Sequence, residues 1–255
     1  MRGTARIYVG IAAAAIGLLA SGCGSGHPQT PAQAGASASA SASASAAQAA
    51  ADLKITPANG SRGVDPSSHI TVTATQGKVT NVTVSSRGGP VSGTLGAGDK
   101  SWHSTWALGV SQSYTVTATG TDGSGQRVTT TSTFRTLAPA QTFQTEIYEG
   151  SGQTYGVGMP IMLIFSQPIT NRAAVERSLQ LTTSKPVIGS WYWDDSEHLD
   201  FRPRDYWPAN TTVSFDGHLN GVEGAAGVYG AANLTQAFTI GPSIIAVAKI
   251  GRAHV

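Results

Sequence analysis

From Leu53 onward, apolar and polar residues alternate one for one. Ile70-Thr-Val72-Thr-Ala74, Val82-Thr-Val84, Tyr114-Thr-Val116-Thr-Ala118 and the Thr-rich run from Val128 to Phe134 all obey this rule. A period of two sends successive side chains to opposite faces, and β-branched residues favour the pleated backbone, so each run predicts a half-buried strand. Turn-forming residues punctuate the runs at Ala58-Asn59-Gly60, Arg87-Gly88-Gly89-Pro90 and Thr121-Asp122-Gly123-Ser124-Gly125. Short strands at this spacing predict an all-β fold built as a sandwich.

Composition closes off other classes. Charged residues are only 12% of the 255, too few for a coiled coil. A long apolar run occurs only at the N-terminus, which excludes a polytopic membrane protein. A single Cys excludes a disulfide framework and a cysteine-rich zinc site. Arg2 and Arg6 lie in a leader and Arg252 in the tail; without these three positive charges the net charge of +2 becomes −1. Nucleic-acid binding needs clustered Lys and Arg and is not expected.

Arg2 and Arg6 precede an apolar stretch from Ile7 to Ala20, which runs into Leu19-Ala20-Ser21-Gly22-Cys23. A positive start, a short apolar stretch and small residues before a cut site make a secretory signal over 1–22. The segment before Cys23 resembles a bacterial lipobox, in which the Cys sulfur receives a diacylglycerol. Cys23 is then the lipidation site and a tether to the outer face of the cell membrane, because two acyl chains give stable anchoring. The other reading is an ordinary secretory signal that contains a Cys. Residues 23–51 are rich in Ala and Ser, alternating strictly from Ser37 to Ala46, with no side chain able to fill a core. They are expected to form a disordered spacer that lifts the strand-rich domains into the wall.

Two tandem domains are expected, over 52–137 and 141–241. The spacing Leu108-x5-Tyr114-x-Val116-x-Ala118 resembles the tyrosine corner of immunoglobulin-like and fibronectin-like sandwiches, with the Tyr114 hydroxyl bonded to a backbone group of the adjoining loop. Leu137-Ala-Pro139-Ala-Gln reads as a linker. In the second unit, Ile161 to Phe165 is continuously apolar and is expected to be covered on both faces. Asn171 to Leu179 predicts a helix, with Asn171 as N-cap and Val175 and Leu179 as an apolar i, i+4 pair. Further strands are expected over 189–194, 198–202, 211–215 and 236–240, and Tyr206-Trp-Pro-Ala-Asn210 reads as a turn carrying two large rings.

Tyr155-Gly-Val-Gly-Met-Pro160, Asn171-Arg-Ala-Ala-Val-Glu-Arg177, Gly189-Ser-Trp-Tyr-Trp193, Phe201-Arg-Pro-Arg-Asp-Tyr-Trp-Pro208, Gly227-Val-Tyr-Gly230 and Phe238-Thr-Ile-Gly241 occur in this order. Together they resemble the immunoglobulin-like region of actinobacterial cell-wall L,D-transpeptidases of the mycobacterial type. Ile55-Thr-Pro-Ala-Asn-Gly60 and Tyr114-Thr-Val-Thr-Ala-Thr119 fit that family's preceding immunoglobulin-like domain. The resemblance implies two tandem immunoglobulin-like β-sandwich domains serving an enzyme that cross-links peptidoglycan through a Cys acyl-enzyme. It also implies a catalytic domain after the second sandwich, starting at about 242–249, with a Ser-His-Gly-Cys type of motif. The only Cys is Cys23, in the leader, so this chain alone is expected to be inactive. Ile250-Gly-Arg-Ala-His-Val255 reads as the in-frame translation of a common sequencing adapter, from which a gene cut before its catalytic domain is expected. The alternative is a natural tail on a stand-alone wall-binding lipoprotein.

The remaining chemistry is sparse. The six His residues at 27, 69, 103, 198, 218 and 254 show no metal-ligand spacing and read as loop or surface residues. Asp194, Asp195 and Glu197 read as a solvated turn, since adjacent carboxylates do not flank one bond as hydrolysis of a glycoside requires. No nucleophile–base pair is expected, and no cofactor or metal is called for. Trp191, Tyr192 and Trp193 are consecutive on an expected strand, so Tyr192 points away from both Trp rings. Trp191 and Trp193 are expected in the core. Tyr192 and Trp207 are expected to contact either glycan or the catalytic domain of the same chain, as interface aromatics do.

Overall fold

The computed structural model describes residues 52–244. The leader, Cys23, the Ala/Ser spacer and the final residues from 245 lie outside the described residues, as do the expectations that rest on them. The N-terminal half is a sandwich of seven strands: β1 (Leu53–Thr56), β2 (Thr71–Ala74), β3 (Lys78–Ser86), β4 (Gly93–Leu95), β5 (Ser101–Ser104), β6 (Ser113–Thr121) and β7 (Arg127–Arg135). One sheet runs β1-β2-β5-β4 and the facing sheet β3-β6-β7, all antiparallel. This four-plus-three order is that of a constant-type immunoglobulin domain.

The alternation seen in the sequence is the alternation of burial. Along β6, Tyr114, Val116, Ala118 and Gly120 face inward while the residues between them face out. They meet Leu53, Ile70, Val72, Trp102, Leu108 and Phe134 in one core. Each of the Val, Leu, Ile and Phe side chains among them contributes about 1.5–3 kcal/mol on burial. The Trp102 ring lies against Gly93 on the neighbouring strand: a β-carbon there would come within 2.1 Å of the indole.

The C-terminal half is a second sandwich, made of β8 (Gln141–Phe143), β9 (Thr145–Ile147), β10 (Thr154–Tyr155), β11 (Ile161–Phe165), β12 (Leu179–Thr183), β13 (Gly189–Trp193), β14 (His198–Pro203), β15 (Thr211–Gly217), β16 (Glu223–Ala225), β17 (Val228–Gly230) and β18 (Leu234–Ile240), with one short helix, α1 (Arg172–Arg177). Its sheets run β10-β18-β15-β12 and β13-β14-β11-β9, with a small third sheet, β16-β17-β8. Two apolar clusters lie inside. One holds Phe143, Leu163, Phe165, Val175 and Phe215; the other holds Ile161, Phe201, Trp207, Val213 and Phe238. Trp191 packs against both.

Two elements depart from expectation. The helix ends at Arg177, and Leu179 instead opens β12, opposite Gly217. A strand paired along its length outweighs one more turn of a helix that has only one apolar pair to bury. Asn171 precedes α1 but makes no side-chain capping bond. In β11, Ile161, Leu163 and Phe165 are buried, whereas Met162 is half-buried and Ile164 is 39% exposed. The continuous apolar run therefore marks an antiparallel strand whose outer face is itself apolar, not a strand covered on both sides.

Candidate functional site: an outer sheet face and the junction of the sandwiches

Tyr114 stands at the start of β6, and its hydroxyl accepts a 2.7 Å hydrogen bond from Gly109 N. The side chain of Thr136 braces the same loop, donating to Gly109 O and accepting from Gln112 N. Burial raises the Tyr114 pKa above its usual value, with the Gly109 bond partly opposing. The second sandwich repeats the device at a position the sequence reading missed: Tyr155 accepts from Gly150 N, also five residues upstream and also at 2.7 Å. The signal was present as Gly-x4-Tyr in both places.

β13 sorts its three aromatic residues by the strand period. Trp191 meets Phe201 and Phe215 edge-on, and Trp193 stacks on Phe165. The Trp193 indole N–H donates to Glu176 at 2.7 Å, and the Arg172 guanidinium lies 5.0 Å from its ring centroid. Tyr192 points the other way and is 58% exposed. Trp207 does not share that surface. It is 2% exposed, and its indole N–H donates to Met159 O, so it is a core residue and not a contact for glycan or another domain. A turn with two adjacent rings places one inward and one outward, and the outward ring is Tyr206.

Tyr192 belongs to a row that crosses the whole β13-β14-β11-β9 sheet. It sits opposite Asp200, which sits opposite Met162, whose carbonyl accepts from Tyr148 N. Tyr148 is 65% exposed. Three strand spacings separate the two tyrosines, roughly 14 Å. Between them the Asp200 carboxylate, nearly buried, accepts from Arg202 at 2.8 Å, and this pairing raises the Arg202 pKa. Ile164 lies one row further along β11. The face therefore combines two exposed phenol rings, an apolar strip and an ion pair, which suits it to stacking or docking.

Behind this face lies Glu149. Its Oε2 accepts from Met162 N, while Oε1 is buried without a partner. Burial raises its pKa, and the nearby Asp200 charge adds to the rise.

Reactive chemistry is thin. The described residues include no Cys and no group of three candidate metal ligands. One Ser–His contact forms: Ser104 Oγ lies 3.4 Å from His69 Nδ1. Ser104 is buried and its hydroxyl accepts from Ile70 N, so it braces β2 against β5 and has no access to a substrate. Asp194, Asp195 and Glu197 form a turn in which the Asp195 carboxylate accepts from Glu197 N, His198 N and His198 Nδ1. No described helix is long and apolar enough to cross a membrane.

The two sandwiches meet along the loop between β5 and β6. Trp106 stacks on His218 with ring centroids 3.9 Å apart and planes 10° from parallel. Ala107 packs into the second core while Leu108 belongs to the first. Val110 N donates to Asn220 Oδ1 across the junction. Gly221, with φ of +83°, fits against Leu108 O and Pro66 where no β-carbon could. Burial lowers the His218 pKa. The sequence reading of His218 as a loop residue placed it after β15 but could not show its stacking partner.

Residues 61–223 match the family model described as a bacterial Ig domain. The chain is 34% identical over 197 residues to L,D-transpeptidase 2 of Mycobacterium tuberculosis, covering 77% of this chain and 48% of that protein. It is 32% identical over 206 residues to L,D-transpeptidase 5 of the same organism, covering 79% and 46%. The chain thus spans about half the length of these curated relatives. Among solved structures, an LD transpeptidase LdtMt1 in complex with imipenem is 31% identical with a TM-score of 0.30, covering 38% of each chain.

Proposed function

We propose, for a chain that belongs to the bacterial Ig domain family, that its two sandwiches are the stalk of a lipid-anchored L,D-transpeptidase that cross-links peptidoglycan. The observation that carries this reading is the similarity to L,D-transpeptidase 2 over 77% of the chain. In this reading Cys23 holds the protein on the outer face of the membrane and the Ala/Ser segment spans the inner wall. The junction at Trp106 and His218 keeps the two sandwiches in one orientation, and a catalytic domain continuing from the second sandwich supplies the nucleophile. Nothing in the described residues offers one, so this part of the chain positions the chemistry and does not perform it. The exposed Tyr192–Tyr148 face is the docking surface for that catalytic domain.

Two experiments test the reading. A sequence read of the genomic locus across codons 240–260 is expected to show an open frame continuing into a Ser-His-Gly-Cys motif; a native stop after codon 255 would refute the enzymatic part. Fatty-acid labelling of the expressed protein is expected to vanish in Cys23→Ala, and persistence of label would remove the anchor. A second reading, a stand-alone wall-binding lipoprotein, draws on the same exposed tyrosines. It requires the chain to pellet with peptidoglycan sacculi and Tyr192→Ala to abolish that.

A further inference from the structure

The corner between β9 and β10, residues 148–153, ties the two sheets of the second sandwich together. Tyr148 N donates to Met162 O on β11 at 3.0 Å, and Gly152 N donates to Ala237 O on β18 at 2.8 Å. Gly150 N donates to the Tyr155 hydroxyl on β10. The Gln236 side-chain amide, also from β18, donates to Glu149 O. At the centre of the corner the Glu149 side chain is fully buried, at 0% exposure. Its Oε2 accepts from Met162 N at 3.2 Å, where an antiparallel pair would use the Tyr148 carbonyl. Its Oε1 has no partner among the described residues.

No described cation pairs with Glu149. Met162 from β11 and Gln236 from β18 bring no charge to it, and Tyr155 from β10 presents a phenol held on Gly150 N. The charge that acts on it is that of Asp200 from β14, whose carboxylate is paired with Arg202. Burying an uncompensated charge costs far more than burying an unpaired neutral group, so a neutral carboxyl tolerates the open Oε1 and a carboxylate does not. Water is close at hand. Ser151, Gly152 and Gln153 are exposed, and β9 is the edge strand of its sheet. Gly152, at φ of +70°, gives the corner a backbone freedom that other residues lack.

We propose that Glu149 is a protonation-dependent latch: its neutral carboxyl locks the corner, and its ionised carboxylate turns out to water, frees the corner and unseats Tyr148. The proton goes to solvent. Burial holds the Glu149 pKa above its ordinary value, with the Asp200 charge adding to the rise. The closed corner is therefore favoured below the ordinary Glu pKa and is weakened as pH rises through the raised one. Tyr148 is the residue next to the latch and forms one end of the exposed row that Tyr192 ends on the other side. Release of Tyr148 N from Met162 O takes one ring out of that row. The consequence for docking rests on the reading of this face as the surface for the catalytic domain; the latch itself does not.

The test is nuclear magnetic resonance of the whole chain in detergent micelles from about pH 4 to about pH 8, a range that starts near the ordinary Glu pKa. The Glu149 carboxyl carbon is expected to titrate above those of the other Glu residues, and the Tyr148 ring signals to move with the same midpoint. Amide exchange at Gly150 and Gly152, corrected for intrinsic base catalysis, is expected to speed up at least about fivefold across that midpoint. In Glu149→Gln, which stays neutral, the corrected exchange is expected to be flat. The wild-type titration decides the matter even where that variant fails to fold. A Glu149 carboxyl that titrates with the other Glu residues, Tyr148 and Gly150 signals that ignore its midpoint, or opening that stays pH-dependent in Glu149→Gln would each overturn the latch. These signals read this chain alone. A failed latch thus leaves the docking reading standing, and failure of a separately expressed catalytic domain to bind leaves the latch standing.

Discussion

Trp207 and Tyr192 are both large rings in the second sandwich, and their surroundings separate them. Trp207 sits in a closed cluster with Phe201, Val213 and Phe238, its one polar atom bonded to Met159 O. Trp207→Ala is expected to cost about 3–5 kcal/mol in urea denaturation, and Tyr192→Ala less than about 0.5 kcal/mol. Equal costs would mean that Tyr192 is structural. Glu149 offers a pH-dependent counterpart. Its folded pKa is raised, chiefly by burial, so the folded state holds its proton more tightly than the unfolded state does. The contribution is therefore fully present below the unfolded carboxylate pKa and is lost as pH rises through the folded value. Glu149→Gln keeps a neutral group at all pH values. It is expected to flatten the decline of thermal stability above about pH 4.3, the ordinary Glu pKa. An unchanged slope of melting temperature against pH would show that Glu149 ionises without penalty.

At the scale of elements, the strands are set by alternation and the exceptions by competition. The segment after Asn171 has helical character, yet α1 stops at Arg177 because the residues from Leu179 find partners along β15. The sheet β1-β2-β5-β4 depends on a close approach of another sort. Gly93 lies so near Trp102 that even a methyl group would strike the ring and also the His103 carbonyl, at 2.5 Å. Gly93→Ala is expected to displace the indole and cost about 1–3 kcal/mol. The same variant would show a changed near-ultraviolet circular dichroism band. A wild-type band and wild-type stability would mean that β4 shifts freely.

For the whole molecule, the decisive contacts are few. Trp106 on His218, Val110 to Asn220, and Gly221 against Leu108 hold two separate cores in one arrangement. A β-carbon at Gly221 would fall 1.8 Å from the Leu108 carbonyl oxygen, at a φ that L-residues also resist. Gly221→Ala is expected to leave both sandwiches folded and to loosen their junction. Small-angle scattering should then report a larger maximum dimension, with the melting of each sandwich becoming independent. A scattering curve identical to wild type would mean that the junction tolerates the change.

The alternation of residues between Ile70 and Phe134 was enough to read a β-sandwich there, because a period of two has only one way to bury its apolar half; the second sandwich was read from the linker after Leu137 and from the motifs that resemble the L,D-transpeptidase region. The corner at Tyr114 was legible through the resemblance carried by Leu108-x5-Tyr114, and its physics is local: a hydroxyl five residues from the Gly109 N–H reaches back across one loop. Trp207 and the apolar run of β11 were not legible, since composition does not say which ring of a pair turns inward or whether a second layer covers a strand. Nor could spacing reveal the junction. Trp106 and His218 are more than a hundred residues apart, and only the docking of one sandwich on the other sets them face to face. The cleft beside them, lined from both sandwiches, is likewise a product of that docking.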